Sequence, residues 1–304
     1  MKKLVVIGLS GDSEFMTVQH FNYPGETIQA IDKFSEPGGK GFNQAAFLGS
    51  LGADVSFITA LGNDIQAEEC ITELKKLNVK PYIIKKEMPT DYAVIITNAK
   101  GENNVVVYNK ASSTVTFNDI MKYRDIIDSA DLLLLQLEYP YEVTKKVIDY
   151  AYDKGIKVLL NPAPARTLDL DLFRKVSILI PNEYEMSHII NSQAISRAEL
   201  MKELEQYGLE TCICTRGGRA VESYNDSKLK RTPVPDVGEL VDTTGAGDVF
   251  CGGLAYALTN NMRLDKAINF AVYASSLSTT KHGVLHSFPT LEEINNAMNA
   301  KKNK

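Results

Sequence analysis

Continuous apolar runs recur along this chain, and each is followed by a longer amphipathic stretch. The runs are "LVVIG", "DLLLLQL", "IKVLLN", "VSILIPN" and "ETCICT". Runs of this kind are typical of strands that are buried on both faces of a parallel sheet. The stretches between them, such as "YEVTKKVIDYAYDKG", have the apolar spacing of helices. The sequence therefore predicts an α/β fold with helices on both sides of a mainly parallel central sheet.

Two stretches break this rhythm. Met16 to Phe34 and Tyr92 to Val107 alternate apolar and polar residues, with turn signals at "PGE" and "KGEN". Alternation with such turns predicts hairpins that have one exposed face. We therefore predict a small β lid, with strands inserted from about 12–35 and 90–110, in a single domain that spans residues 1–304.

Charge and cysteine usage exclude several function classes. The formal net charge of −5 and the pI of about 5.5 argue against a nucleic-acid partner. No apolar segment approaches the length of a membrane span, and the run after Lys3 is too short for a signal peptide. The four cysteines form no Cys-x-x-Cys pair, which argues against disulfides and structural zinc. The predicted location is the cytoplasm, without a membrane partner.

The most specific motif is "VDTTGAGDVFCGGLAYAL", Val241 to Leu258, in which small residues stand where an apolar helix begins. A helix start presents free N–H groups and the positive end of the helix dipole, and small residues let an anion approach them. Asp248 falls in the first turn, where a carboxylate could accept a proton from a hydroxyl that attacks phosphorus. The alternative is a tight turn in which Asp248 only complements the dipole.

Two further segments have the same ambiguity. "PGGKGFNQAAFLG" is not a Walker A loop, but Lys40 and Asn43 would project from a helix start and could bind hydroxyl groups. The alternative is a glycine-rich cap. "PNEYEM" places Asn182 and Glu185 on one helical face, which suits Mg²⁺ held partly through water. The alternative is an Asn N-cap with a capping-box acid.

Together these segments resemble a known family. "GGKGFNQA" and "DTTGAGD" are similar to the two signatures of the ribokinase-like (PfkB) sugar kinases, and the pattern is closest to bacterial ribokinase. The similarity continues in order through "YPGET", "LLQLE", "LNPAPAR", "PNEYE" and "KHGVLHSFP". The resemblance implies a three-layer α/β/α fold with a small β-sheet lid over the sugar. It also implies ATP-dependent phosphorylation of a sugar, with ribose as the first candidate substrate. A homodimer formed through the lids is implied as well.

The resemblance also implies roles for the matched residues. Asp248 would be the base that deprotonates the sugar hydroxyl, and the N–H groups of Gly245, Ala246, Gly247 and Asp248 would form the anion hole. The matches on the nucleotide side are Asn182, Thr215, Arg216, Gly217, Gly247 and Val272, the last where the family often has Asn or His near adenine. Mg²⁺ would be handled by Glu185 and, through water, Asn182, and K⁺ by Asp242, Thr244 and Ser287. The matches on the sugar side are Gly39, Lys40, Asn43 and Glu138.

The opening stretch "IGLSGDSEF" departs from the family pattern. Ribokinases usually carry Asn-x-Asp after the first strand, and the Asp binds two sugar hydroxyls, but Gly11 and Ser13 stand at those positions here. Asp12 is displaced by one residue, which in an extended chain directs its side chain to the other face. Ser13 is a candidate for contact with the sugar because it occupies the place of the family Asp, and Asp12 is either a substitute displaced by one residue or a bystander. "NKASS" at residues 109–113 also replaces the usual Gly-Ala-Asn.

Other functions stay open at this stage. The changes at Gly11 and Ser13 allow a kinase of the same fold that acts on another sugar, a sugar phosphate or a nucleoside. "GDS" invites a serine hydrolase with Ser13 as nucleophile, but none of the four histidines has an Asp three residues before it. A non-catalytic sugar-binding protein is disfavoured by the intact "GAGD" and "PNEYE".

Overall fold

The computed structural model of the protein describes residues 2–194 and 196–300. In chain order its strands are β1 (Lys3–Ile7), β2 (Gly11–Thr17), β3 (Asp32–Gly38), β4 (Asp54–Leu61), β5 (Lys80–Lys85), β6 (Asp91–Thr97), β7 (Asn103–Tyr108), β8 (Leu132–Leu135), β9 (Lys157–Leu160), β10 (Ile178–Leu179), β11 (Thr211–Cys214), β12 (Val221–Asn225) and β13 (Lys228–Thr232). The helices are α1 (Lys40–Ser50), α2 (Ile65–Lys76), α3 (Phe117–Met121), α4 (Arg124–Asp128), α5 (Tyr141–Asp153), α6 (Glu183–Met186), α7 (Arg197–Gln206), α8 (Ala246–Thr259), α9 (Leu264–Ser278) and α10 (Leu291–Ala300). Short 3₁₀ turns lie at Ser112–Thr114, Leu170–Lys175 and Leu285–Ser287.

The central sheet has the order β13-β12-β11-β10-β9-β8-β1-β4-β5. The pairings from β11 to β5 are parallel, and only β12 and β13 at one edge run antiparallel. Within the described residues, no helix is both long and apolar enough to cross a bilayer.

Alternate residues of β1 enter two different cores. Leu4 and Val6 pack in a core with apolar residues of α1, α8 and α9. Val5 and Ile7 pack in a second core with residues of α5 and α7. Both faces of the strand are therefore dry, which explains why its sequence is continuously apolar. The predicted three-layer α/β/α architecture is confirmed.

The lid is a second sheet with the order β3-β2-β6-β7. The second predicted hairpin is present as the antiparallel pair β6–β7. The first is present as the antiparallel pair β2–β3, but β2 begins already at Gly11 and residues 18–31 separate it from β3. The "PGE" stretch closes a local turn inside that connection, where the N–H of Glu26 donates to the carbonyl of Tyr23 at 2.9 Å. Strands β2 and β6 pair in parallel and join the two halves of the lid.

The end of β1 lies directly against the start of α1. A Cβ added at Gly41 would lie 2.7 Å from the backbone of Gly8, and the N–H of Phe42 donates to the carbonyl of Leu9 at 3.0 Å. Strand β1 has β4 on one side and β8 on the other, so the chain order reverses next to it. Ligands of open α/β sheets bind beyond the carboxyl ends of strands at such a point. The contact fixes the first turn of α1 over that position.

We predict that Gly41→Ala destabilises the protein by about 1–3 kcal/mol, because the new methyl group meets backbone atoms that have no rotamer to change. Urea unfolding would measure the change. Gly218→Ala is the matched control, since a Cβ there meets no atom within 4 Å, and its effect should stay within about 0.5 kcal/mol. Equal stability of the two variants would contradict the backbone contact.

Candidate active site

The carboxylate of Asp248 connects the two glycine-rich segments. It lies in the first turn of α8 and is 5% exposed. The side-chain amide of Asn43 donates to one carboxylate oxygen at 3.0 Å, and that of Gln44 donates to the other at 2.9 Å. Both donors lie near the start of α1, Asn43 in its first turn and Gln44 directly after it. Asp248 is therefore held by specific hydrogen bonds from a distant helix and does more than complement the dipole of α8.

The start of α8 has N–H groups that the helix itself does not use. The N–H of Val249 donates to the carbonyl of Gly245 at 2.9 Å, and that of Ala246 donates to Thr243 at 3.2 Å. Within the described part of the chain, no acceptor is recorded for the N–H groups of Gly247 and Asp248. These two groups are thus the donors best able to bind an anion beside the Asp248 carboxylate.

A buried polar network, which the sequence analysis missed, supports this carboxylate. Gln136 donates to the side-chain oxygen of Gln44 at 2.6 Å. Gln44 also donates to Asn161 at 3.3 Å, and Asn161 donates to the carbonyl of Ile180 at 3.1 Å. Gln136 and Asn161 directly follow β8 and β9, so the ends of two strands orient the amide that holds Asp248. The signal in the sequence was a single amide residue at the end of each apolar run.

Acidic and basic groups face one another around Lys40. The carboxylate of Glu138 accepts from the backbone N–H of Lys40 at 3.0 Å and of Gly41 at 3.3 Å. Burial raises the pKa of Glu138 to about 7, with Lys40 opposing the shift and Asp248 adding to it. Asp248 is the main cause that raises the pKa of Lys40. The site therefore combines one ammonium group with several carboxylates in a buried setting.

A cavity of about 260 Å³ lies between the lid and this cluster. Of the predicted sugar-site residues, it is lined by Gly39, Lys40, Glu138, Asp12 and Ser13. Asn43 is not among the residues that line the cavity, and its side chain instead donates to the Asp248 carboxylate. Asn109, the first residue of "NKASS", also lines the cavity, as does Asp91, which the sequence motifs do not include.

Asn182 and Glu185 form a complete capping box at the start of α6. The side chain of Asn182 accepts from the N–H of Glu185 at 2.8 Å, and Glu185 accepts from the N–H of Asn182 at 2.8 Å. Burial raises the pKa of Glu185, whereas the hydrogen bond from the Asn182 N–H and the charge of Lys40 lower it in part. In the described residues, no group of three His, Cys, Asp or Glu side chains could hold a metal. The oxygen donors present fit Mg²⁺ bound through water and phosphates, but not a protein cage.

The predicted nucleotide loop lies next to this capping box. Thr215 forms a parallel bridge with Asn182, and its N–H donates to the carbonyl of Pro181 at 2.9 Å. The guanidinium of Arg216 is held by Glu183 and by the buried Glu222, both at 3.0 Å. Gly217 adopts a positive φ of 57° in the same turn.

Val272 does not join the other nucleotide-site residues. It is 1% exposed and packs in the core formed by α8 and α9. The structure therefore places its side chain away from any surface that a base could reach, because the apolar residue completes the helix-to-helix packing.

Asp242 and Thr244 lie together before α8. One oxygen of Asp242 accepts from the N–H of Thr244 at 2.9 Å and from its hydroxyl at 2.7 Å. The other oxygen accepts from the N–H of Gly283 at 3.1 Å. Ser287, buried in the following 3₁₀ turn, donates to the carbonyl of Val284 at 2.7 Å. The three predicted K⁺ residues thus lie in two segments, one before α8 and one at residues 283–287, which the hydrogen bond from Gly283 to Asp242 connects. Each of the three side chains carries oxygen atoms that could bind a cation.

Glu36 links the lid to these loops, although the sequence analysis did not identify it. Its buried carboxylate accepts from the N–H of Val284 at 2.8 Å and of Leu285 at 3.3 Å. Val284 in turn packs on the start of α8, since a Cβ at Gly245 would lie 2.7 Å from it. Strand β3 of the lid is therefore connected to the start of α8 by two hydrogen bonds and one packing contact.

We predict that replacing Glu138 by Gln removes a pH dependence of stability. The folded protein holds a proton on Glu138 up to about pH 7, whereas the unfolded chain releases it near the ordinary value of 4.5. Because the folded state binds more protons in this window, the free energy of unfolding falls as pH rises through it. Glu138→Gln lacks this loss, so its stability relative to wild type should rise by about 1 kcal/mol or more from pH 5 to pH 8. Urea unfolding at a series of pH values measures this difference, and parallel curves would contradict it.

Comparison with known proteins places the chain in a family. The model of the pfkB family carbohydrate kinases matches residues 1–291. A ribokinase from Staphylococcus aureus is 34% identical over 301 residues, which cover 96% of this chain and 98% of the relative. A deoxyribokinase from Salmonella typhi is 30% identical over 278 residues, covering 89% of this chain and 90% of the relative. A crystal structure of ribokinase from Thermotoga maritima superposes with a TM-score of 0.90 at 28% identity, covering 98% of this chain and 100% of that chain. The chain belongs to the pfkB family of carbohydrate kinases.

Proposed function

We propose that this ATP-dependent sugar kinase phosphorylates ribose and that Asp248 is its general base. The observation that carries the proposal is the position of the Asp248 carboxylate. It is buried at the start of α8 and held by Asn43 and Gln44. Helix α1, which supplies both amides, begins at Lys40 on the wall of the lid cavity. A sugar in that cavity would bring a hydroxyl to the carboxylate.

The proposed mechanism divides the work between the two helix starts. Asp248 accepts the proton of the attacking sugar hydroxyl, while the two amides of α1 keep its oxygens oriented as acceptors. The N–H groups of Gly247 and Asp248 stabilise the charge of the transferring phosphoryl group. The ammonium group of Lys40 interacts with the charges of Asp248, Glu138 and Glu185, and it would offset the negative charge of the transferring phosphoryl group. Positioning and charge stabilisation supply most of the rate enhancement in phosphoryl transfer.

Two cations fit this site. Glu185 and Asn182 would hold Mg²⁺ through water, and the Mg²⁺ would neutralise charge on the nucleotide phosphates. Asp242, Thr244 and Ser287 would supply oxygen ligands for K⁺ beside α8. Thr215, Arg216 and Gly217 would line the phosphate side of the nucleotide. Because the enzyme uses ATP as a substrate, we propose that it is located in the cytoplasm.

A second candidate substrate is 2-deoxyribose. The observation that favours it is the pair Gly11 and Ser13, which replaces the Asn and the sugar-binding Asp expected from the family pattern. A pocket without a carboxylate at the position of Ser13 has less reason to reject a sugar that lacks the hydroxyl bound there. The similarity to a deoxyribokinase supports keeping this substrate in the test.

The lid also has features of a dimer interface. Strand β7 is an edge of the lid sheet, and all six of its residues are exposed. Val105, Val106 and Val107 are 56%, 67% and 56% exposed. An exposed apolar edge strand favours pairing with another chain. We propose that two copies of the protein associate through their lids.

The kinase proposal predicts sugar-dependent ADP release, measured by a coupled assay with ribose, 2-deoxyribose, other pentoses, hexoses and nucleosides. Asp248→Asn should lower kcat by about 10²–10⁴-fold, since the amide cannot accept the proton. Asp265→Asn is the matched control, because this exposed acid also stands in the first turn of a helix, α9, outside the site. Melting temperatures would show that both variants fold. A folded Asp248→Asn with wild-type kcat would overturn the assignment of the base.

The dimer proposal predicts that Val106→Lys shifts the protein from dimer to monomer in size-exclusion chromatography with light scattering. A charge at this position opposes burial of the apolar strand. Tyr152→Lys on α5 is the control, because this residue is 50% exposed and lies outside the lid. A wild-type monomer, or a dimer that survives Val106→Lys, would argue against the lid interface.

A further inference from the structure

A buried carboxylate that the predicted sugar site does not include stands at the start of lid strand β6. Asp91 is 2% exposed and lines the cavity between the lid and α1 together with Ser13, Asn109 and Glu138. Its position on the cavity wall raises the question of which lid carboxylate a sugar would meet.

The register of the lid strands answers this question. In the parallel pair β2–β6, Gly11 lies opposite Asp91 and Ser13 lies opposite Ala93. Register partners point to the same face of a sheet, and alternate residues point to opposite faces. Asp91 therefore shares the face of Ser13, whereas Asp12 shares the face of Tyr92.

The surroundings of Asp12 agree with this assignment. Asp12 also borders a second cavity beside α2 that Glu69 lines. The charged groups that act on Asp12 are Glu69, Glu14 and Lys33, and the hydroxyl of Tyr92 donates to Glu14 on that face. Burial is the main cause that raises the pKa of Asp12, and none of these neighbours belongs to the cluster around Lys40.

Gly11 leaves the space that Asp91 requires. A Cβ at Gly11 would lie 2.3 Å from the carbonyl oxygen of Asp91 and 3.2 Å from its Cβ. The two strands therefore approach so closely here that a side chain on β2 is excluded. The polar group of this part of the cavity comes from β6 instead.

The Asp91 carboxylate is held by backbone N–H groups. One oxygen accepts from Lys110 at 2.6 Å, and the N–H of Ser112 lies 3.2–3.3 Å from both oxygens. Among the residues that the structure describes, no side-chain cation lies within ion-pair distance of Asp91. Burial raises the pKa of Asp91, and the Ser112 hydroxyl together with the N–H groups of Lys110, Ser112 and Ala111 opposes that rise. The N–H groups of Lys110 and Ser112 contact both oxygens, and a carboxylate has about four acceptor positions, so capacity remains for a hydroxyl donor that a ligand would bring.

We propose that Asp91, and not Asp12, is the carboxylate by which the lid binds sugar hydroxyls, and that it determines specificity among sugars that differ in a hydroxyl group. The inference rests on the proposed function. Hydroxyl donors from the sugar would complete the hydrogen bonding of a buried anion that has no counter-ion of its own. A sugar without the matching hydroxyl would leave the carboxylate under-bonded.

The test compares kcat/KM for ribose with kcat/KM for 2-deoxyribose and 3-deoxyribose. In wild type, at least one analogue should be weaker by about 10- to 100-fold, which is the range for hydrogen bonds to charged groups. In Asp91→Asn that ratio should fall to within a few-fold of one, because the amide lacks the charge. Asp12→Asn is the matched control, since it changes the neighbouring lid carboxylate on the other face, and it should keep the wild-type ratio.

A purely structural role for Asp91 gives a different result. It would lower the melting temperature and reduce kcat/KM for all three sugars by the same factor, which leaves the ratios unchanged and overturns the inference. If Asp91→Asn does not fold, Asp91→Ser keeps a short acceptor for the N–H of Ser112 and serves the same comparison. A wild-type enzyme that phosphorylates no sugar overturns the proposed function and this inference together. Turnover with an unchanged ratio in the folded variant overturns the inference alone.

Discussion

The hydrogen bonds from Asn43 and Gln44 to Asp248 are the interaction on which the rest of the site depends. They join the start of α1 to the first turn of α8, and the bonded residues are 205 and 204 positions apart in the chain. A buried carboxylate without donors would be costly, and a carboxylate with two amide donors is fixed in direction. The same two bonds therefore bring the two glycine-rich segments together and fix the direction of the Asp248 carboxylate, which we propose is the base.

The central sheet makes this arrangement possible. Strand β1 lies where the chain order reverses, so the crevice beyond its end is open on both sides. Gly8 at that end admits Gly41 of α1, and Gln136 and Asn161 beyond the neighbouring strands hold Gln44. The polar residues of the site thus stand where the apolar runs stop. Packing below them fixes their positions, because the strands that carry them have both faces in the two cores.

Local sequence patterns predicted the sheet, its helices and the glycine-rich segments. They did not predict the hydrogen bonds between residues that are distant in sequence. The apolar runs predicted the sheet, and the glycine-rich segments predicted the places of Asp248 and Lys40. Glu36 and Gln44 could not be assigned in this way, because their hydrogen-bond partners are distant in sequence and nothing near either residue signals them. Asn182 and Glu185 show a different limit, since the capping box that they form is compatible with both the structural and the functional interpretation. Val272 was placed by resemblance alone, and its burial between two helices was visible only in the fold.

In the lid, the register between β2 and β6 determines which side chains share a face of the sheet. Side chains alternate between the two faces of a strand, so in "GDS" Ser13 shares the face of Asp91 and Asp12 lies on the opposite face, although it also borders the cavity. The carboxylate that we propose for sugar binding comes from the adjacent strand, where the backbone of Asp91 lies so close to Gly11 that β2 has no room for a side chain there. The proposed sugar recognition in the lid thus lies apart from Asp248 on α8, and Glu36 and the start of α1 connect the two parts of the candidate site. Under the proposed function, changes in β2 and β6 would alter which hydroxyl is recognised without moving Asp248, because no residue of these two strands bonds to Asp248 in the described structure.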